Sequence, residues 1–201
     1  HHAIAAYRET FEHEEPEALT YYYIGECYEK TGELDKAIEN FRKTIEMDEN
    51  IADAWVGLGV CYEEKGNAKS ALRYIAKGLE LDPENPEYLA TLAVCQQHAG
   101  LFGEAANSFT LSAELDPMDA DIWLDFSAMF AELFEYAHAL EVLETGLSHQ
   151  PDNVALEFRK VAYLYSLGKP KEAHIQLQAA LVHGKEGLAA LFEFAPYLQN
   201  D

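Results

Sequence analysis

Basic residues are scarce in this chain. Its 201 residues hold 14 Lys and Arg against 36 Asp and Glu, a formal net charge of −22. The deficit is shared, with 20 acids and 9 bases in residues 1–100 and 16 and 5 in the remainder. Between Lys77 and Arg159 there is no Lys or Arg at all, yet that stretch carries 16 acids. Such a field repels a phosphate backbone, and no basic stripe is present to release counterions, so nucleic acid is not an expected partner. An acidic surface keeps an elongated protein dissolved, and it also attracts a basic partner.

Long apolar runs are missing too. Glu, Asp or Gly interrupts every hydrophobic stretch well before the roughly 18–20 residues of a membrane span, so no membrane insertion is expected. The opening His-His-Ala-Ile-Ala-Ala-Tyr-Arg lacks the basic and continuous apolar regions of a secretory signal. With 3 Cys, the chain has no paired disulfide framework, and free thiols point to a reducing compartment such as the cytoplasm. There is no H-E-x-x-H, phosphate-binding loop, G-x-S-x-G or dinucleotide fingerprint, so neither catalysis nor a cofactor is expected.

What is present is a period. Cys27, Cys61 and Cys95 lie 34 residues apart, and the surrounding sequence repeats with them. Gly25, Gly59 and Ala93 share one phase, Gly32, Gly66 and Gly100 another, Ala37, Ala71 and Ala105 a third, and Pro83, Pro117 and Pro151 a fourth. A fixed period of this length implies an all-α array of stacked helix pairs. In residues 52–85, Trp55, Leu58, Gly59 and Tyr62 share one face of a first helix. Gly66 breaks it, a second helix carries Ala71, Ile75, Gly78 and Leu79, and Asp82-Pro83 ends that one. One pair cannot bury its apolar face alone, so neighbours must stack.

These residues resemble the tetratricopeptide repeat, W-x2-L-G-x2-Y, then A-x3-F, then a boundary proline. The repeat at 18–51 gives Tyr21, Ile24, Gly25, Tyr28, Ala37 and Phe41, and that at 52–85 is the closest to pattern. Leu89, Leu92, Ala93, Ala105, Phe109 and Pro117 carry the repeat at 86–119, with Gln96 in an aromatic place. The repeat at 120–153 has Trp123, Phe126, Ser127, Phe130, Ala139 and Leu143, but Phe134 replaces the turn glycine, so an altered turn is expected there. The repeat at 154–187 diverges most, with Glu157 and Lys160 in normally apolar places. Residues 1–17 fit half of a preceding repeat and 188–201 part of a following one. The chain therefore reads as a single domain over 1–201 and as an excerpt of a longer array, of a kind similar to bacterial cytoplasmic repeat proteins. Its open ends, around Tyr7 and Phe192, are candidates for self-association.

The resemblance implies a right-handed α-solenoid whose first helices line a concave groove, a non-catalytic scaffold for protein–protein interaction. By that resemblance the partner-binding groove comprises Tyr22, Glu26 and Glu29, then Val56, Val60 and Glu63, then Ala90 and Val94, then Asp121, Leu124 and Asp125, and finally Phe158. Apolar residues flanked by carboxylates suit a basic, partly apolar peptide or helix of another protein. The alternative is a structural module that assembles through its ends. The family's carboxylate clamp finds Tyr22, Glu26, Gly57, Glu87 and Thr91 at its places, or one repeat later Val56, Val60, Thr91, Asp121 and Asp125, which would repel an acidic tail. The three thiols, about a helix-pair spacing of 9–10 Å apart, are too distant for a disulfide or a metal. His13, His149 and His183 share one phase and read as partly buried substitutes for Met47, Leu81 and Leu115 rather than metal ligands.

Overall fold

A computed structural model describes residues 17–184 together with Leu188, Leu191 and Phe192. The half-repeat expected at 1–17 falls almost wholly outside them, as does most of the partial repeat at 188–201. The described residues form an all-α helical repeat solenoid of ten helices: α1 (Ala18–Glu29), α2 (Leu34–Met47), α3 (Ala52–Glu64), α4 (Ala68–Leu81), α5 (Pro86–His98), α6 (Phe102–Leu115), α7 (Ala120–Glu132), α8 (Tyr136–His149), α9 (Val154–Ser166) and α10 (Pro170–His183). Each 34-residue repeat read from the sequence holds one pair.

Local chemistry fixes the ends of these helices. Asn85, Asp119 and Asn153, which share one phase of the period, each accept a hydrogen bond through the side chain from the first turn of α5, α7 and α9. The turn after each first helix needs a left-handed residue, and Gly32, Gly66, Gly100 and Gly168 supply it at φ of 74°, 73°, 77° and 70°. Around Gly66 the closing bonds are Gly66 N–H to Glu63 O (2.7 Å) and Asn67 N–H to Tyr62 O (2.8 Å). The turn expected to differ at Phe134 keeps the same form. Phe134 takes φ 60°, donates to Ala131 O (2.9 Å), and Glu135 N–H reaches Phe130 O (2.9 Å). The fourth repeat therefore preserves its helix pair by accepting backbone strain instead of changing the connection.

Packing within the pairs depends on small residues. Ala37, Ala71, Ala105, Ala139 and Ala173 are all fully enclosed, and each lets a second helix lie close to its first. Phe41, Ile75 and Leu143, one turn further along, are also fully enclosed and fill the space so made. The described residues divide into two compact units, the first ending at Ser108 and the second beginning at Phe109. In the first, α1 packs on α2, α2 on α3, α3 on α4 and α4 on α5. In the second, α7 packs on α8, α8 on α9 and α9 on α10.

Candidate functional site

In the first unit, first helices α1, α3 and α5 border a recess of about 260 Å³. Its floor is made by Phe41, Val56, Gly57 and Val60. Phe41 comes from α2 and has no exposed surface, yet it reaches the recess because Gly25 and Gly57 flank its ring. A Cβ on Gly25 would stand 2.8 Å from the Phe41 ring, and one on Gly57 2.7 Å. Other repeats place Tyr23, Thr91, Asp125 and Arg159 at the phase of Gly57, so the missing side chain is what opens this floor.

Carboxylates surround it. Glu26, Glu29, Asp53 and Glu87 line the recess, with Lys30 as the only cation among its lining residues, 3.7 Å from Glu26. Tyr88 closes one side, and its hydroxyl hydrogen-bonds the Asp53 carboxylate. Tyr22 lies against Phe41 with ring centroids 5.9 Å apart. Both phenols are held above their ordinary range. For Tyr22 burial leads, followed by the charges of Glu26 and Asp53; for Tyr88 burial leads, followed by the bond to Asp53. They therefore remain neutral hydrogen-bond donors at any physiological pH. The Glu29 carboxyl is also raised, by burial first and by Glu64 next, with Lys30 opposing. Its anionic form is thus held at a cost that an arriving cation relieves. Chemically the recess suits an ammonium or guanidinium group on an aliphatic stem, beside an apolar side chain.

The residues expected to line the groove divide accordingly. Tyr22, Glu26, Glu29, Val56 and Val60 come together in the recess. Glu63 stands elsewhere, its Oε1 2.6 Å from Nδ1 of His98. Ala90 and Val94 are half-buried on α5 and are not among the lining residues. Phe41 and Tyr88, which lie off the first-helix face read as the groove, also line the recess, as do Asp53, Gly57, Glu87 and Thr91 on that face. The signal for Tyr88 lay in the period, since Asp53 and Tyr88 are 35 residues apart, as are Glu63 and His98. A side chain one residue past the repeat length reaches back to the preceding first helix.

In the second unit, Asp121 and Asp125 are exposed on α7 and Leu124 is half-buried. The Asp125 carboxyl is raised, first by partial desolvation and then by Asp121, against the pull of Arg159. Phe158 has no exposed surface: it sits in a core cluster with Val161, Ala162, Ala173 and Leu191. Against the expectation that it lines the groove, its side chain is enclosed by residues of α9, α10 and the segment around Leu191.

Cys27 is half-buried, and Cys61 and Cys95 are buried, all three as free thiols. Burial first, then nearby glutamates, pushes the Cys61 and Cys95 thiols up to about 12, which makes them inert packing groups. His149 and His183 are more exposed than expected. His149 stacks on Trp123 at 6.0 Å, and His183 Nδ1 lies 2.8 Å from the buried Glu157 carboxylate. Glu157 thus tolerates its normally apolar place by pairing with the end of α10. His13 and Tyr7 lie outside the described residues, and Phe192 is half-buried against the last core cluster. Among the described residues, no helix is long and apolar enough to cross a membrane.

Residues 2–50 and residues 30–95 each match a tetratricopeptide repeat family model. The chain is a tetratricopeptide repeat protein. Proteins of this family typically act as non-catalytic scaffolds for protein–protein interaction. No curated protein sequence matches this repeat protein. Among solved structures, MamA is similar at 21% identity over 83% of this chain and 91% of that one, with a TM-score of 0.65. PilF of Pseudomonas aeruginosa is similar at 19% identity over 90% and 84%, with a TM-score of 0.69. YrrB, described as a tetratricopeptide repeat protein with an unusual peptide-binding site, is similar at 20% identity over 94% and 97%, with a TM-score of 0.60. These likenesses support the repeat fold.

Proposed function

We propose that this tetratricopeptide repeat protein is an interaction scaffold whose first unit binds a segment of another protein carrying Lys or Arg beside an apolar side chain. The observation that carries the reading is the recess itself. Four carboxylates and two neutral phenols stand around an apolar floor, with one ammonium group among the lining residues. An acidic segment would meet four like charges there, whereas a basic one would neutralise them. The description of YrrB as having a peptide-binding site is consistent with this use of the fold.

The test is fluorescence anisotropy with two labelled peptides of equal length, one of alternating Lys and Leu and one of alternating Glu and Leu. The basic peptide is expected to bind and the acidic one to fail. Glu26→Lys with Glu87→Lys should weaken the basic peptide about tenfold, a change of about 1.4 kcal/mol, and flatten its salt dependence. Asp121→Lys with Asp125→Lys places the same charge change on the second unit. Undiminished affinity in the first variant, or a loss confined to the second, would remove the recess from the account.

A further inference from the structure

The outer face of α10 departs from the other second helices. Ile175 and Val182, two turns apart on one side of the helix, are 68% and 82% exposed. At the phase of Ile175 the earlier repeats carry Glu39, Arg73, Asn107 and Glu141, and at the phase of Val182 they carry Glu46, Glu80, Glu114 and Ser148. Every one of these is polar or charged. Ala179, also exposed, continues the apolar stripe between them. Apolar side chains facing water add no burial to the fold, so packing within the repeat does not account for the exchange.

A cation completes the stripe. Lys171 is exposed one turn before Ile175, on the same side of the helix. Among the described residues no carboxylate pairs with it, since Glu172, the one acid of α10, faces Lys169 (3.6 Å). Lys36, Lys65, Lys77 and Lys160, by contrast, each hold a carboxylate of their own chain. A lysine beside an isoleucine is the chemistry that the first-unit recess accepts, because its carboxylates outnumber its one ammonium group and its floor of Phe41, Val56 and Val60 is apolar. Charge makes the match selective. A chain of net charge −22 repels its own copies over most of its surface, whereas the outer face of α10 offers an acidic recess a cation and no uncompensated carboxylate.

We infer that the outer face of α10 of one copy docks into the acidic recess of a second copy, with Lys171 among the carboxylates and Ile175 over the floor. This docking presupposes the proposed use of the recess, and the segment it admits is carried by the chain itself. The contact is heterologous, a recess on one side and a helix on the other. Each pair of copies therefore keeps one free surface of each kind, and association continues into a chain or closes into a ring. One helix face buries less than the roughly 1,200 Å² at which stable interfaces begin, so the association is weak and depends on concentration.

The test is sedimentation equilibrium of the full chain in physiological salt, which screens the net repulsion between copies, with two variants that each remove one surface. Lys171→Asp with Ile175→Glu gives α10 the residue types that Asp35 and Glu39 supply in the first repeat, and Glu26→Lys with Glu87→Lys reverses charge in the recess. The average mass of the parent should rise above the monomer with concentration, and each variant alone should stay monomeric. Mixed in equal amounts, the two variants should form a dimer and stop there, because the first keeps an intact recess and the second an intact α10. Should the α10 variant melt below the parent, Val182→Glu replaces it, since Glu46, Glu80 and Glu114 hold the same phase. The Lys–Leu peptide should bind the α10 variant with parental affinity. A parent that stays monomeric at every concentration, a recess variant that still self-associates, or a mixture without dimers would each overturn the docking. In any of these cases a peptide that still binds the parent leaves the proposed use of the recess standing, and one that fails to bind removes both.

Discussion

Replacing Phe134 by Gly should stabilise the protein, although it deletes a large aromatic side chain. Phe134 sits at φ 60°, where the four matching turns use glycine. A side chain in the left-handed region costs about 1–2 kcal/mol. The ring returns little, since it is 80% exposed and its main neighbour is an edge contact to Tyr136 at 6.4 Å. Glycine in turn costs about 0.4–1 kcal/mol through the freedom it adds to the unfolded chain. The balance is a gain of about 0.5–1 kcal/mol, which for a chain of this size raises Tm by about 1–4 °C. Phe134→Ala isolates the cause, because it removes the ring but keeps the Cβ. Glycine should exceed alanine at this position by about 1 kcal/mol, the reverse of their order inside a helix. Thermal melts followed by circular dichroism of the three proteins decide it. Alanine equal to or above glycine would refute the assignment of strain to this turn.

Other expectations follow from packing and charge. Gly59→Ala would bring a Cβ 2.5 Å from Ile75 Cγ1 and 3.1 Å from Ala71 O, both on α4, so a loss of about 1–3 kcal/mol is expected in denaturant unfolding. His183 is raised above its ordinary value by its hydrogen bond to Glu157, so its contribution is complete below about pH 6.5 and fades as pH rises through the folded value. The stability gap between the parent and His183→Gln should therefore narrow from about pH 6 to pH 8; a gap that widens would contradict the pairing. In thiol titration near pH 8, Cys27 should react first, with Cys61 and Cys95 released only on unfolding. Three thiols reacting together would mean that the first unit opens readily.

The architecture was legible because it is written many times over. Each phase of the period repeats small, aromatic and turn residues in several places, so a departure such as Gln96 does not obscure the pattern; its amide is simply satisfied by Ser108 Oγ at 2.8 Å. The altered turn expected at Phe134 did not materialise, because the hydrogen bonds closing a repeat outweigh about 1–2 kcal/mol of backbone strain. The site was less legible. Helical spacing identified a face, but which part of that face is concave depends on side chains it does not contain. Gly57 opens the recess and Phe158 is covered, although both belong to the same helical face. Tyr88 entered from outside that face by reaching across to Asp53.

The most direct test of the central claim is amide chemical-shift mapping of the isotopically labelled chain titrated with the Lys–Leu peptide. Binding in the acidic recess predicts the largest shifts at Tyr22, Glu29, Val60 and Tyr88, saturating together and diminishing as pH falls toward the raised Glu29 value. Shifts that leave those four residues unmoved while the peptide binds would contradict it.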